Sequence, residues 1–329
     1  MGICVIIYSL NVFCSRILKN GDDVESDKLE KGIGDLMVGI IQKREKLTTG
    51  EGNSYGSDFL GLLLNARKDA PGNYKLSLKD IIDECKTFYG AGQGTTSILL
   101  SWTVLLLAIH TDWQDKAREE VLRIFGQQNP TSEGIARLRT MNMIFSETLR
   151  LYPPADVLTR KVQRKVRLGK LILPANMNVN IPLLALHHDP KIWGKDAHLF
   201  NPERFSEGVP KATSNNPAAY IPFGLGPRNC VGMNFATNEA KIALTMILQH
   251  YKFTLSPNYI HSPIHMVLVR PQHGVRLFKS SDDIEAKKIE QEIYDTLMAI
   301  IKKNEGDDKR SRQLWKRFPW ITNKSKPRC

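Results

Sequence analysis

Along residues 27–46 the apolar positions Leu29, Ile33, Met37, Ile40 and Ile41 fall on one stripe at helical spacing, which predicts an amphipathic helix. A Gly/Ser/Thr-rich break at 48–57 ends it, and Asp58–Lys68 is a second, short helical run. Pro71-Gly72-Asn73 marks a turn. Ser77 then opens a long helix to about His110, with Asp80 three residues on as its capping-box partner. Within it, Ile98–Ile109 has only Ser101 and Thr103 as polar members. That run is too short for a membrane span and suits the centre of a globular core.

Further helices are predicted at 112–125, ended by Gly126, and at 132–139 and 141–151. The period changes over 155–183. Val157, Thr159, Val162, Val166, Leu168, Leu171, Ile172, Leu173, Val179 and Ile181 are β-formers, punctuated by Gly169-Lys170 and Pro174-Ala175-Asn176. Short strands and hairpins are expected there. Helical spacing returns over Asn234–His250, on Ala236, Ala240, Ala243, Leu244 and Ile247. Residues 251–278 read as strands broken by Pro257, Pro263 and Pro271. The expected fold class is mainly α with small β-sheets, α+β.

Two interruptions of the pattern carry candidate chemistry. Ala91-Gly92-Gln93-Gly94-Thr95-Thr96 lies inside the long helix, where each glycine costs roughly 1 kcal/mol relative to alanine. Either packing relieves a kink, or the ladder opens where a ligand lies against the backbone. The other interruption is Pro222-Phe223-Gly224-Leu225-Gly226-Pro227-Arg228-Asn229-Cys230-Val231-Gly232. A lone cysteine is usually a small buried hydrophobe, and a Gly-Pro loop is usually a turn. Here, however, the loop feeds a helix N-terminus, whose free N–H groups favour a thiolate over a thiol. Arg228 adds a fork suited to a carboxylate. The combination suits a thiolate metal ligand beneath a flat cofactor with an acidic edge.

Glu147 and Arg150, three apart, share a helix face. Between Phe145 and Leu151-Tyr152-Pro153-Pro154 such a pair is expected to be buried and to need a third partner. His187-His188 invites reading as a metal pair, but adjacent residues do not face one ligand together, so a structural role is expected.

Phe223, Gly226, Arg228, Cys230 and Gly232 stand at the spacing Phe-x-x-Gly-x-Arg-x-Cys-x-Gly, and the stretch resembles the haem-binding signature of the cytochrome P-450 superfamily at every position. The resemblance implies haem b with Cys230 as axial thiolate and metal ligand, a role that favours O–O cleavage. It implies Arg228, and Arg160 as a second arginine, on the haem propionates. Ala91–Thr96 resembles the family's oxygen-binding motif, with Thr95, followed by Thr96, as the threonine that hydrogen-bonds dioxygen. Gly94 stands where the family has Asp or Glu, which removes a proton-relay carboxylate. Glu147-Thr148-Leu149-Arg150 matches the family's Glu-x-x-Arg motif, and Asn201-Pro202-Glu203-Arg204-Phe205 the segment that supplies its third partner. The implied triad Glu147–Arg150–Arg204 is scaffold that positions the cysteine loop.

The same resemblance implies a monooxygenase that inserts one oxygen atom of O2 into a small lipophilic, terpenoid- or hormone-like substrate. Electrons would come from NADPH through NADPH-cytochrome P-450 reductase at the cysteine face. Substrate would lie near Gly90–Gly94, Ala155–Leu158 and Ile264–Val267. The resemblance covers roughly residues 16–278 and extends best to the plant clan with secologanin synthase and the gibberellin- and cytokinin-hydroxylating enzymes. It places relatives on the cytosolic face of the endoplasmic reticulum membrane. The chain reads as the C-terminal part of such an enzyme, a truncated cytochrome P-450 fold without the relatives' membrane anchor. The alternative is a non-catalytic haem-binding remnant, which Gly94 favours.

Composition changes this picture little. At 329 residues with 42% hydrophobic content, the chain is globular in class. Five scattered cysteines without CxxC pairs argue against a disulfide framework or zinc site and fit a reducing compartment better. The net charge is +12, and residues 306–329 carry eight Lys/Arg against Asp307 and Asp308, a local +6. That tail is expected to be solvated, with no nucleic acid bound. Residues 1–15 are apolar but too short to span a bilayer and lack a charged leader.

Residues 276–305 repeat 16–45 at an offset of 260, with thirteen of thirty positions identical. No third copy exists, which excludes a solenoid. Residues 279–329 are accordingly expected to lie outside the main core, as the opening of a paralogous segment joined on by a gene-model error or a real fusion.

Overall fold

In the computed structural model, the residues described are 21–47, 54–71, 75–265 and 268–279. The expectations for residues 1–15, for Gly72-Asn73, for Met266-Val267 and for the chain after Lys279, including most of the second repeat, lie outside them. Two units divide at Gly94 and Thr95, within one helix.

The first unit holds α1 (Gly21–Leu47), α2 (Phe59–Asp69) and the start of α3 (Leu78–Ile109). Ser77 and Asp80 form the reciprocal cap: the Ser77 N–H donates to the Asp80 carboxylate (2.8 Å) and the Asp80 N–H to Ser77 Oγ (3.1 Å). Asp58 caps α2 by accepting from the Gly61 N–H (2.8 Å) and takes a second bond from Arg44 (2.8 Å). Ile41, Leu64 and Ile81 form its buried centre. The stripe on α1 fares differently from expectation: Ile41 alone is buried, whereas Leu29, Ile33 and Ile40 are about half exposed. An eleven-residue α2 covers only the C-terminal turns of a helix more than twice its length.

Helix α3 runs without interruption through Ala91–Thr96, so the ladder does not open there. Its second half, in the other unit, buries Trp102, Leu105 and Leu107. Burial on that scale, at ~1.5–3 kcal/mol per large side chain, outweighs the cost of the glycines. By length and composition alone α3 could cross a membrane; half of its most apolar stretch is buried in protein.

The second unit continues with α4 (Thr111–Phe125), α5 (Ser132–Ala136) and α6 (Arg139–Leu151). After the strands come α7 (Leu183–His187), α8 (Pro190–Trp193), a 3-10 turn (Pro202–Phe205), α9 (Gly208–Ala212) and α10 (Met233–His250). α4, α6 and α10 share one core with α3, centred on Leu107, Val121, Ile144 and Leu244. Glu120 of α4 caps α6 from outside: its carboxylate accepts the N–H groups of Arg139 and Thr140 (2.8 Å each) and Met141 (3.1 Å). Three orphan donors of the helix start are thereby satisfied.

Among the described residues, eight short strands pair in four antiparallel twos. β1 (Val157–Lys161) pairs β4 (Asn178–Pro182), and β2 (Val166–Leu168) pairs β3 (Leu171–Leu173). β5 (Phe253–Leu255) pairs β8 (Leu277–Lys279), and β6 (Pro263–His265) pairs β7 (Val269–Pro271). The chain is mainly α with small sheets, as the periodicity predicts.

Candidate cofactor site

The cysteine loop is held by its own backbone. The Gly224 N–H donates to the Ile221 carbonyl (2.9 Å), Asn229 N–H to Gly226 (3.1 Å) and Cys230 N–H to Phe223 (2.8 Å). Gly224 and Gly226 take φ of +80° and +86°, where a Cβ is strained. Gly232 is the cap residue of α10, and a Cβ there would stand 4.0 Å from Cys230 Sγ. Phe223 packs on the main core, so the loop is anchored at its start. Beyond that anchor Arg228 and the Cys230 thiol are exposed.

Arg160, on β1 opposite Val179, approaches this loop from outside. One of its guanidinium nitrogens lies 3.9 Å from where a Gly224 Cβ would be, and another donates to the Thr159 carbonyl (3.1 Å). Two arginines and one thiol therefore meet at one glycine-rich loop. Thr95 is half-buried; Thr96 is buried, with no hydrogen-bond partner for its hydroxyl among the described residues.

Glu147 and Arg150 are wholly buried on α6. Arg150 gives two parallel bonds to the Glu147 carboxylate, both 2.7 Å. Its remaining N–H groups reach the carbonyls of His187 (2.8 Å), Ala197 (2.6 Å) and Leu199 (3.2 Å). All five guanidinium donors are thus used, as a buried arginine requires. Glu147 also accepts the Asn201 N–H (2.9 Å).

Arg204 stands 3.7 Å from Glu147 through Nε, an ion pair without a hydrogen bond. Its fork serves Asp196 (2.8 Å) and the Trp193 carbonyl (2.9 Å) instead. The Arg204 bond, more than burial opposes it, holds the Asp196 carboxyl below its ordinary range. Asp196 was invisible to the sequence argument because nothing in spacing marks it.

His187 and His188 face different partners. His188 Nε2 meets the Leu151 carbonyl (3.1 Å). His187, fully buried, accepts the Ile221 N–H at Nε2 (3.1 Å), while its own carbonyl takes the Arg150 bond. Burial first, then the Arg150 charge, pushes its pKa down to about 4. Through its backbone carbonyl on one side and its imidazole on the other, His187 thereby ties the Glu147–Arg150 cluster to the start of the cysteine loop. Elsewhere in this unit, Asp156 and His265 pair at 3.1 Å, joining the segment before β1 to β6.

Among known families, the model described as Cytochrome P450 matches residues 10–278. "Cytochrome P450 CYP749A22" of Panax ginseng is 60% identical over 265 residues, covering 80% of this chain and 51% of that protein. "11-oxo-beta-amyrin 30-oxidase" of Glycyrrhiza uralensis is 48% identical over 253 residues, 75% of this chain and 48% of its own. A solved structure, "Crystal structure of a Cytochrome P450 (CYP102L1)", superposes with TM-score 0.66 at 29% identity, over 76% of this chain and 56% of that one. The chain spans about half the length of the curated relatives it matches.

Proposed function

The chain belongs to the cytochrome P450 family, and from that premise we propose that it carries the cysteine-ligand portion of a haem-thiolate monooxygenase. Its reaction would insert one oxygen atom of O2 into a small lipophilic substrate. The observation that carries this reading is the loop itself: an exposed thiol on a backbone shaped by glycines, with Arg160 brought to its side. The donor set fits haem b. Cys230 would ligate the metal, and Arg228 and Arg160 would hold the propionates by charge-assisted hydrogen bonds. Gly226 and Gly232 leave room for close approach, and Phe223 ties the loop to the core. Bound through a thiolate, haem iron supplies the activation of dioxygen.

Thr95 would hydrogen-bond the oxygen substrate, and the free hydroxyl of Thr96 is a second donor beside it. Glu147, Arg150 and Arg204 act as scaffold. NADPH-cytochrome P-450 reductase is the proposed electron donor, and the cytosolic face of the endoplasmic reticulum membrane the proposed location. The relative named for 11-oxo-beta-amyrin supports a terpenoid-like lipid as substrate class. A second reading, haem binding without turnover, is favoured by Gly94, which supplies no carboxylate beside Thr95.

Haem titration followed by reduction under carbon monoxide tests the reading. A thiolate-type Soret band is expected, lost in Cys230→Ala and kept in Cys85→Ala. The opposite pattern would overturn the assignment of the ligand.

A further inference from the structure

Four rings lie in a row in the second unit. Trp102 of α3, fully buried, stacks on Tyr152 at the end of α6, with centroids 4.2 Å apart and planes 12° apart. His261, in the loop between β5 and β6, meets both edge-on, at 5.9 Å from Trp102 and 6.1 Å from Tyr152. Tyr259 follows at 6.1 Å from His261. The row climbs from core to solvent: Tyr152 and Tyr259 are half-buried, and His261 is exposed. At its inner end, Trp102 follows Thr95 on the uninterrupted α3. Their separation of seven residues is nearly two turns, so the two share a helix face about 10 Å apart along the axis.

Packing accounts for the inner pair, because stacked rings attract one another beyond their burial. It does not account for an exposed imidazole held against both. The Tyr259 hydroxyl lies 3.2 Å from His261 Nδ1, which accepts its proton when the imidazole carries its own on Nε2. The Trp102 N–H instead donates to the Val269 carbonyl (3.0 Å), which cannot take up a proton. Among the described residues, Tyr259 is therefore the oxidisable ring of the row whose proton has a base to move to. An oxidising equivalent that enters at Trp102 comes to rest there.

We propose that Trp102, Tyr152, His261 and Tyr259 form a relay that carries an oxidising equivalent from the haem to the surface when oxygen activation misses the substrate. The inference rests on the haem reading above, and Gly94, which puts no carboxylate beside Thr95, supplies its occasion. One electron passes from Tyr259 by way of Tyr152 and Trp102 to haem oxidised by peroxide, which is reduced by one equivalent. The Tyr259 O–H bond breaks, its proton forms an N–H bond at His261 Nδ1, and a neutral phenoxyl radical then faces an imidazolium. A soluble reductant such as ascorbate returns the electron, and His261 returns the proton.

The test mixes the haem-loaded full chain with hydrogen peroxide, without substrate or reductant, and freezes it for electron paramagnetic resonance. Expected is a tyrosyl radical that is lost in Tyr259→Phe. In that variant, peptide mass spectrometry should find the oxidised products moved inward to Trp102 and Tyr152, and the Soret band should bleach severalfold faster. His261→Gln keeps a hydrogen-bond partner for Tyr259 but no base, and is expected to lower the radical yield severalfold. Neither side chain is fully buried, so both variants keep the fold. A radical yield and product map unchanged in both, with a thiolate-type Soret band present, would overturn the relay and leave the haem reading standing. A chain that takes up no haem would overturn both.

Discussion

Glu147→Ala is expected to be among the most damaging single changes in the second unit. The substitution removes two bonds of 2.7 Å from Arg150, a bond of 2.9 Å from the Asn201 N–H, and the anion 3.7 Å from Arg204. Arg150 keeps its three carbonyls, but a fully buried guanidinium then has no counter-charge. Breaking a buried pair in this way costs ~3–5 kcal/mol, a large share of the ~5–15 kcal/mol that holds a domain together. At ~2–4 °C per kcal/mol, the melting temperature should fall by ~6–20 °C. Arg204→Ala is the built-in comparison. Arg204 touches Glu147 only at 3.7 Å, and its main partner Asp196 is partly exposed, so its loss should cost ~1–2 kcal/mol. Urea denaturation of both variants beside the parent measures the difference. A Glu147→Ala loss below ~1 kcal/mol, or one equal to that of Arg204→Ala, would refute the reasoning.

Three further outcomes are expected. His187 has a folded pKa of about 4 against an ordinary 6.5, so its contribution is complete above pH 6.5 and shrinks as the pH falls toward 4. Stability should drop by roughly 2 kcal/mol between pH 7 and 5 from this residue alone, because only the unfolded chain takes up the proton. His187→Gln, which offers an acceptor to Ile221 and does not titrate, should flatten that slope; an unchanged slope would remove His187 as its source. Gly134→Ala would place a Cβ 2.1 Å from the Phe125 ring, and a cost of ~1–3 kcal/mol by thermal denaturation is expected, whereas a neutral result would mean the ring moves freely. On the proposed function, Gly94→Glu in a chain restored at its N-terminal side to the length of its relatives, haem-loaded and supplied by reductase, should raise the ratio of product formed to NADPH consumed. General acid–base assistance is worth ~10²–10⁴-fold, so an unchanged ratio would show that the glycine at position 94 does not limit coupling.

What the amino-acid sequence determined by itself is local. The Ser77/Asp80 cap forms between residues three apart, and Glu147 and Arg150 meet because that spacing puts them on one helix face. Gly224 and Gly226 permit the cysteine loop because only glycine takes positive φ without strain. Each of these depends on a few bonds along the chain, so spacing and residue type suffice. The tertiary structure decided everything that needed a distant partner. It gave Arg204 to Asp196 rather than chiefly to Glu147, set Glu120 over the start of α6, and placed Arg160 beside Gly224. It also made His187 the link between two motifs that the sequence shows only as separate. The same holds for exposure: Leu29 and Ile33 on α1, like Leu168 and Leu171 on the hairpin, lie on well-formed apolar faces that remain in solvent. Periodicity states which side chains share a face, and only the packing of other elements against that face settles whether it is core or surface.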